Sequence, residues 1–284
     1  MKDHCSMFSV GKMAGVLDVS RSGYYDWVGR SPSARAKGRL RFDLEVKAVF
    51  DASKGKYGRE RIREALASER KILANPKRIV ASMRRQRLRA KIKRRYRVTT
   101  NSKHRFPVAP NLLNRQFTVD APNRVLVSDI TYLPSRSGWL YLTVFIDLFS
   151  RMVVGWCVST SLSHEGVLAA LQRAFWRRKL PAGCIIHSDR GVQYCCGAFR
   201  EAIAGLKLIQ SMSRKGNCWD NAVAESFFAT LKTEWLPEVD LQGLAHAERE
   251  LFEYIEHVYN GQRIHTTLGM APIKFESLSL RKCA

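Results

Sequence analysis

Three acidic residues stand where catalysis would use them. Asp129 lies in Val-Ser-Asp-Ile-Thr-Tyr, an alternating stretch rich in strand-forming residues. Asp189 follows a short apolar run in Ile-Ile-His-Ser-Asp-Arg-Gly. Glu225 sits one turn into a helical pattern, Asp-Asn-Ala-Val-Ala-Glu-Ser-Phe-Phe. An ionised carboxylate inside an apolar strand costs several kcal/mol unless it is paired or binds a metal, and Asp129 has no local cationic partner in the sequence. Three carboxylates on two strands and a helix can hold two divalent ions about 3.5–4 Å apart, one activating an attacking oxygen and the other steadying a leaving 3′ oxygen. Hard oxygen donors suit Mg²⁺ or Mn²⁺ rather than zinc, and no Cys-x-x-Cys pair supports zinc. Such a centre serves phosphodiester hydrolysis and, equally, attack by a DNA 3′-OH. Taken singly, each acid also reads as a salt-bridge partner or a helix N-terminal charge.

The elements that must carry these residues follow from periodicity. Arg124–Leu133, Trp139–Phe149 and Met152–Ser159 read as three strands in a meander, joined by turns at 135–138 and 150–151. His164–Arg178 reads as an amphipathic helix, Ala182–His187 as a short buried strand, Cys196–Ala204 as a helix and Leu208–Met212 as a strand. A loop, 213–220, leads into a helix over Asn221–Leu236, and a last long helix covers Leu241–Asn260. On the Glu225 helix, Ala222, Ala229 and Lys232 share the face of the glutamate, while Phe228, Leu231 and Trp235 mark the apolar side. The order is that of an RNase H-like α/β domain, a mixed five-stranded sheet with helices.

Other polar residues near the three acids read as scaffold first. Asp220 and Asn221 fit a helix N-cap, Asp147 a structural strand acid, and His187 either a structural histidine or a phosphate contact. Trp139, Trp156 and Trp176 read as packing residues.

The first third of the chain is of another kind. Of 48 Lys+Arg and 25 Asp+Glu in 284 residues, 29 and 9 fall in residues 1–106, a net +20, and the rest carries +3. One region therefore faces a polyanion and the other has a nearly balanced surface. Residues 8–30 outline two short helices around a turn at 18–23, a helix-turn-helix-like segment within residues 1–40. Residues 41–98 read as a basic helical DNA-binding domain, with helices near 41–53, 59–67 and from Pro76 onward. Its end is densely cationic, with Arg84, Arg85, Arg87, Arg89, Lys91, Lys93, Arg94, Arg95 and Arg97 within fourteen residues. Like charges at that density repel unless phosphates neutralise them. Residues 99–120 read as a linker, and 121–284 as the catalytic core with C-terminal helices. Arg214 and Lys215 belong to a loop that would lie over DNA.

With 45% apolar residues the chain can fill a core and is not a disordered or fibrous protein. Seven cysteines are too few for a disulfide scaffold at this length. Neither a signal-peptide pattern nor an apolar run near the roughly 20 residues that span a bilayer is visible, so a cytoplasmic protein associated with the nucleoid, and not with a membrane, is expected.

The spacing and the flanking residues point further. Between Asp129 and Asp189 lie 59 residues, and between Asp189 and Glu225 lie 35. With the segments 129–132, 138–151 (Gly-Trp-Leu-Tyr-Leu-Thr-Val-Phe-Ile-Asp-Leu-Phe-Ser-Arg), 187–194, 213–234, 259–265 and Ala271-Pro272, the chain resembles the DDE transposases of bacterial insertion-sequence family three, whose catalytic core is similar to that of retroviral integrases. The resemblance implies that Asp129, Asp189 and Glu225 are the metal-binding catalytic triad, holding two Mg²⁺ ions. It implies that Lys232, seven residues after the glutamate, contacts DNA, and that the basic N-terminal part is a helix-turn-helix region. It implies cutting and joining of element ends by hydrolysis and 3′-OH transesterification, with double-stranded terminal repeats and target DNA as partners, together with the upstream-frame protein and further copies of the chain. The chain is then the downstream product or the downstream part of a frameshift fusion. Where the family has a Trp three residues before the first Asp, this chain has Leu126, a difference that bears on packing more than on chemistry. A metal-dependent nuclease and a non-catalytic DNA-binding regulator are the alternatives; only a transposase also joins a 3′ end to a new strand.

Overall fold

The computed structural model describes residues 1–90, 106–214 and 218–283. Lys91, Lys93, Arg94, Arg95, Arg97 and Lys215 lie outside the described residues.

The meander forms as the alternation requires. Strand β1 (Val125–Ser135) pairs antiparallel with β2 (Gly138–Asp147), from Leu126↔Asp147 to Ser135↔Gly138, and β2 pairs antiparallel with β3 (Val153–Ser159). Strand β4 (Ile185–Ser188) returns parallel to β1, and β5 (Ile209–Met212) parallel to β4. The order β3-β2-β1-β4-β5 is a mixed five-stranded sheet. Both faces are covered, so β1, β2 and β3 are almost wholly buried.

Helices α1 (Val10–Val16), α2 (Arg21–Gly29), α3 (Ala34–Ala52), α4 (Arg59–Glu69) and α5 (Pro76–Arg85) precede the sheet. Their starts are written locally: the hydroxyls of Ser9, Ser20 and Ser33 accept from Lys12, Gly23 and Ala36 N–H, and Asn75 caps α5 with Pro76 in its first turn. Helices α3, α4 and α5 close a small core of Phe42, Val46, Val49, Ile62, Leu66 and Ile79. Within the sheet domain come α6 (His164–Arg178), a single turn α7 (Val192–Cys195), α8 (Gly197–Gly205), α9 (Ala222–Glu234), α10 (Leu244–Phe252) and α11 (Pro272–Cys283). Helices α6 to α8 pack on one face around Leu126, Phe145, Ile186 and Phe199. Helices α9 and α10 pack on the other around Val127, Val144, Phe227, Leu231 and Leu251. Leu126, where the family has Trp, is fully buried among the first group.

Several expectations are corrected. The long helix expected near the C-terminus is present from Leu244 to Gln262, but its second half, Glu253–Gln262, is widened into a π-helix, and α11 is additional. Within the π-helix, Asn260 uses both ends of its amide on the backbone of Val153, where β3 lacks a sheet neighbour. The part of the linker that is described, from Phe106 onward, is strapped to the sheet domain: Met212 N–H donates to Pro110 O, Leu112 N–H to Ser211 Oγ, and Leu113 is buried in the core. Trp156 is buried, but Trp139 is 60% and Trp176 75% exposed, so neither is a core residue, although each meets one aromatic neighbour, Tyr132 and Phe175.

Helix α6 seats closely on β3 at Gly155. A Cβ on Gly155 would lie 2.5 Å from Ala170 O and 2.6 Å from Ala174 Cβ, so glycine alone lets the helix seat there. Gly155→Ala is expected to cost about 1–3 kcal/mol through overpacking, read as a lower urea midpoint with an unchanged slope.

Candidate active site

Register brings Asp129 and the end of β4 to the same end of the sheet. The last β1–β4 pair is Val127↔His187; Asp129 lies two residues further along β1, and Asp189 is the first residue past the end of β4. Two residues restore the same face of a strand, and Val127 belongs to the core under α9. Asp129 therefore stands on the α9 side. Helix α9 brings its first turn, with Glu225, to the same end of the sheet, and Asn221 ties it there by donating to Ser128 O at 3.2 Å.

Asp129 is buried and feels the charges of both other acids. Burial pushes the Asp129 carboxyl well above the ordinary carboxylate range, and the charges of Asp189 and then Glu225 push it further; Lys232 and a hydrogen bond from Ile130 N–H oppose this. Burial also raises Glu225. The Lys232 ammonium is lowered by burial and raised by Asp129, so it faces the first aspartate from α9. Asp189 accepts from Gly191 N–H at 2.9 Å, which fixes its carboxylate at the strand end. As placed, no three His, Cys, Asp or Glu side chains among the described residues are close enough together to hold a metal ion.

The surrounding polar residues are scaffold. His187 is fully buried, hydrogen-bonded through Nδ1 to Ser211 Oγ (2.8 Å) and through Nε2 to Ser213 Oγ (3.2 Å). Burial lowers its pKa to about 4, so the ring is neutral near pH 7. Asp147 turns the corner after β2, accepting from Asn123, Phe149 and Ser150 N–H. Neither Asp220 nor Asn221 caps α9 with its side chain, contrary to expectation. Asp220 has a fully buried side chain that gathers Arg214, Arg115 and Asn111 and accepts from Arg214 N–H. The Arg214 guanidinium, with these other partners, holds it far below the usual carboxylate range. Asp220 thus fastens the strap before β1 to the loop that leads into α9.

Of the proposed DNA contacts, Arg84, Arg85, Arg87 and Arg89 are exposed at and beyond the end of α5. Arg85 is paired with Asp43 through two hydrogen bonds, as Arg214 is with Asp220. A guanidinium carries five N–H donors, so each keeps donors beyond those pairs.

Glu234, the last residue of α9, was not singled out in the sequence. It is buried against Arg263, whose Nε and Nη2 reach its two oxygens at 2.7 and 2.9 Å, while Arg61 of α4 reaches Oε1 at 2.9 Å. Burial alone would raise Glu234; the guanidiniums of Arg263 and Arg61 hold it below its ordinary value. Glu234→Ala strands the buried Arg263 charge and is expected to cost about 3–5 kcal/mol, measured by denaturant unfolding.

Comparison with known proteins agrees with this architecture. Two integrase core domain families match residues 119–218 and 206–272, and an HTH-like domain family matches residues 39–96. That last match falls on α3 to α5 rather than on the α1–α2 pair. A 31 kDa protein of insertion element IS600 from Shigella sonnei is 43% identical over 93% of this chain and 97% of its own length. The InsF transposase of insertion sequence IS3A from Escherichia coli K12 is 40% identical over 99% of this chain and 98% of its own. Among solved structures, a chain of the simian T-cell lymphotropic virus intasome in complex with a PP2A regulatory subunit covers 72% of this chain and 67% of that one, with a TM-score of 0.48 and 16% identity. The catalytic core of HTLV-2 integrase in complex with magnesium covers 55% and 97%, with a TM-score of 0.43 and 16% identity. Identity of 40% along nearly the whole length leaves one conclusion about descent: the chain belongs to the transposases of the IS3 insertion sequences.

Proposed function

We propose that this transposase cuts the ends of its element and joins the freed 3′ ends to new DNA at the Asp129–Asp189–Glu225 cluster, in a reaction that depends on divalent metal. The observation that supports this reading is the setting of Asp129: burial in β1 raises it well above its normal range, and the charges of Asp189, just past β4, and of Glu225, at the start of α9, raise it further. Such a cluster fits divalent cations, since its donors are hard oxygens and the one cation noted facing Asp129, Lys232, offsets only part of the charge. Mg²⁺ or Mn²⁺, bound as a pair by the three carboxylates, would supply charge neutralisation at the attacking and leaving oxygens.

The chain's own residues do the rest. Asp189 is held by Gly191 N–H and Asp129 by its strand, so two donors are set by backbone. Glu225 rides on a helix and is the adjustable donor. Lys232, two turns along the same face, would steady a DNA phosphate beside the cluster. Arg84, Arg87 and Arg89, with Lys91, Lys93, Arg94, Arg95 and Arg97, would bind backbone phosphates, and Arg85, Arg214 and Lys215 would add donors at the edges. Duplex element ends and target DNA are the partners, with the upstream-frame protein and further copies of the chain completing the active complex.

The test is a strand-transfer assay on labelled DNA that flanks the gene. Wild type with Mg²⁺ or Mn²⁺ is expected to give joined product, and Glu225→Gln none above background. Cut product without joining would point to a nuclease, and neither product with the upstream-frame protein added would refute the catalytic reading. Asp129→Asn is expected to be inactive as well, yet to melt at a higher temperature without metal, because it removes a buried repulsive charge. A lower melting temperature for Asp129→Asn would contradict the repulsion on which the reading stands.

A further inference from the structure

The basic helical module and the catalytic helix meet at one buried joint. Arg61 of α4 reaches Glu234 at 2.9 Å, with side chains 15% and 6% exposed. Its guanidinium also lies over the Tyr57 ring. Tyr57 Oη accepts from Ile264 N–H at 3.0 Å, and the Ile264 side chain is inserted into the core of α3, α4 and α5. Lys56 meets Glu238 just after α9 at 3.4 Å. All these contacts cluster at the C-terminal end of α9, the helix that carries Glu225 and Lys232 toward the aspartates.

The other end of the connection is the cationic run. Beyond α5 the chain folds back so that Ala90 lies close to Gly58, where α4 begins. Arg61 is in the first turn of α4. Arg87 and Arg89 therefore sit on the segment that touches the start of α4, the turn that holds Glu234. Removing Arg61 does not empty the joint, because Arg263 still satisfies both oxygens of Glu234.

We propose that Arg61 is a positioning residue for cutting and joining: through Glu234 it couples DNA bound on the α3–α5 module to the setting of α9, and so to the placement of Glu225 and Lys232. The inference rests on the transposase chemistry proposed above and adds a specific link between its two halves. It requires that DNA reaching the module does more than anchor the substrate. Occupancy of the module raises the rate of the chemical step at the cluster.

The experiment compares two duplexes from the DNA flanking the gene, a short one that engages the carboxylate cluster alone and a longer one that also covers the basic module. Single-turnover cutting and joining rates are measured at saturating protein, with Kd and melting temperature alongside, for wild type, Arg61→Gln and Arg61→Lys. Wild type is expected to react faster on the longer duplex at saturation. Arg61→Gln should bind both duplexes as wild type does, melt within a few degrees of it, and react normally on the short duplex. It should lose the gain from length, a drop of roughly tenfold for a coupling in the usual range. Arg61→Lys, which keeps a charge for Glu234, should recover part of the gain. The coupling is overturned if Arg61→Gln keeps the gain, if it slows both duplexes equally as a merely structural change would, or if active wild type shows no dependence on length. A wild type inert on both duplexes would overturn the transposase chemistry itself, and the coupling with it.

Discussion

Three carboxylates gathered at one end of a sheet repel one another, and the rest of the molecule must hold them there. At 4 Å and an effective dielectric of 20, a like-charge pair costs about 4 kcal/mol. Asp129 is held inside β1 by its pairing with β2, and Asp189 by the end of β4 and the Gly191 N–H, which a repulsion of that size does not break. Glu225 has no such tether, since it sits on the first turn of a helix that could lift away. What keeps α9 down is apolar burial: Ala224, Phe227, Phe228 and Leu231 lie on the sheet. Each large side chain among them is worth about 1.5–3 kcal/mol, so together they exceed the repulsion. The helix is then tied at both ends, by Asn221 on Ser128 at its start and by Glu234 at its finish.

The environment of the cluster is arranged so that nearby charge is committed elsewhere. His187 is two residues from Asp189, and as an imidazolium it would compete with a bound cation. Burial between Ser211 and Ser213 keeps it neutral. Arg115 and Arg214 flank the loop into α9, and both are engaged by Asp220. The arginines therefore organise the approach to the site, while the positive charge opposing Asp129 comes from Lys232 on α9 itself.

Local rules carry much of this into the sequence. Alternation wrote β1 and a nearly all-apolar run wrote β2, serine and asparagine caps wrote the starts of α2 and α5, and the 35-residue gap with its flanking motif marked Asp189 and Glu225. What sequence could not show is long-range. Asp220 precedes a helix and has the composition of a cap, but two arginines, one of them 105 residues away, compete successfully for it. The stretch after Phe106 has linker composition, yet it gains backbone partners from β5. Trp139 and Trp176 carry no local sign that they are exposed. Glu234 lies inside the motif that marks Glu225, in Lys-Thr-Glu-Trp, and its spacing is no clue, because its partners Arg61 and Arg263 come from distant segments. A glutamate between threonine and tryptophan on the apolar side of a helix was the one available signal.

The division of charge gives the joint at Glu234 its importance. Nearly all of the excess positive charge lies before residue 107, whereas the carboxylates proposed for the chemistry lie after it. Phosphate contacts on a basic module bind DNA without distinguishing the ground state from the transition state, so by themselves they lower the concentration of DNA needed and leave the rate alone. Binding free energy accelerates a reaction only when it also orients the reacting groups. That requires a stiff mechanical path from module to cluster, and a solvated linker does not provide one. A buried carboxylate shared by two guanidiniums, beside an isoleucine inserted from one body into the core of the other, does.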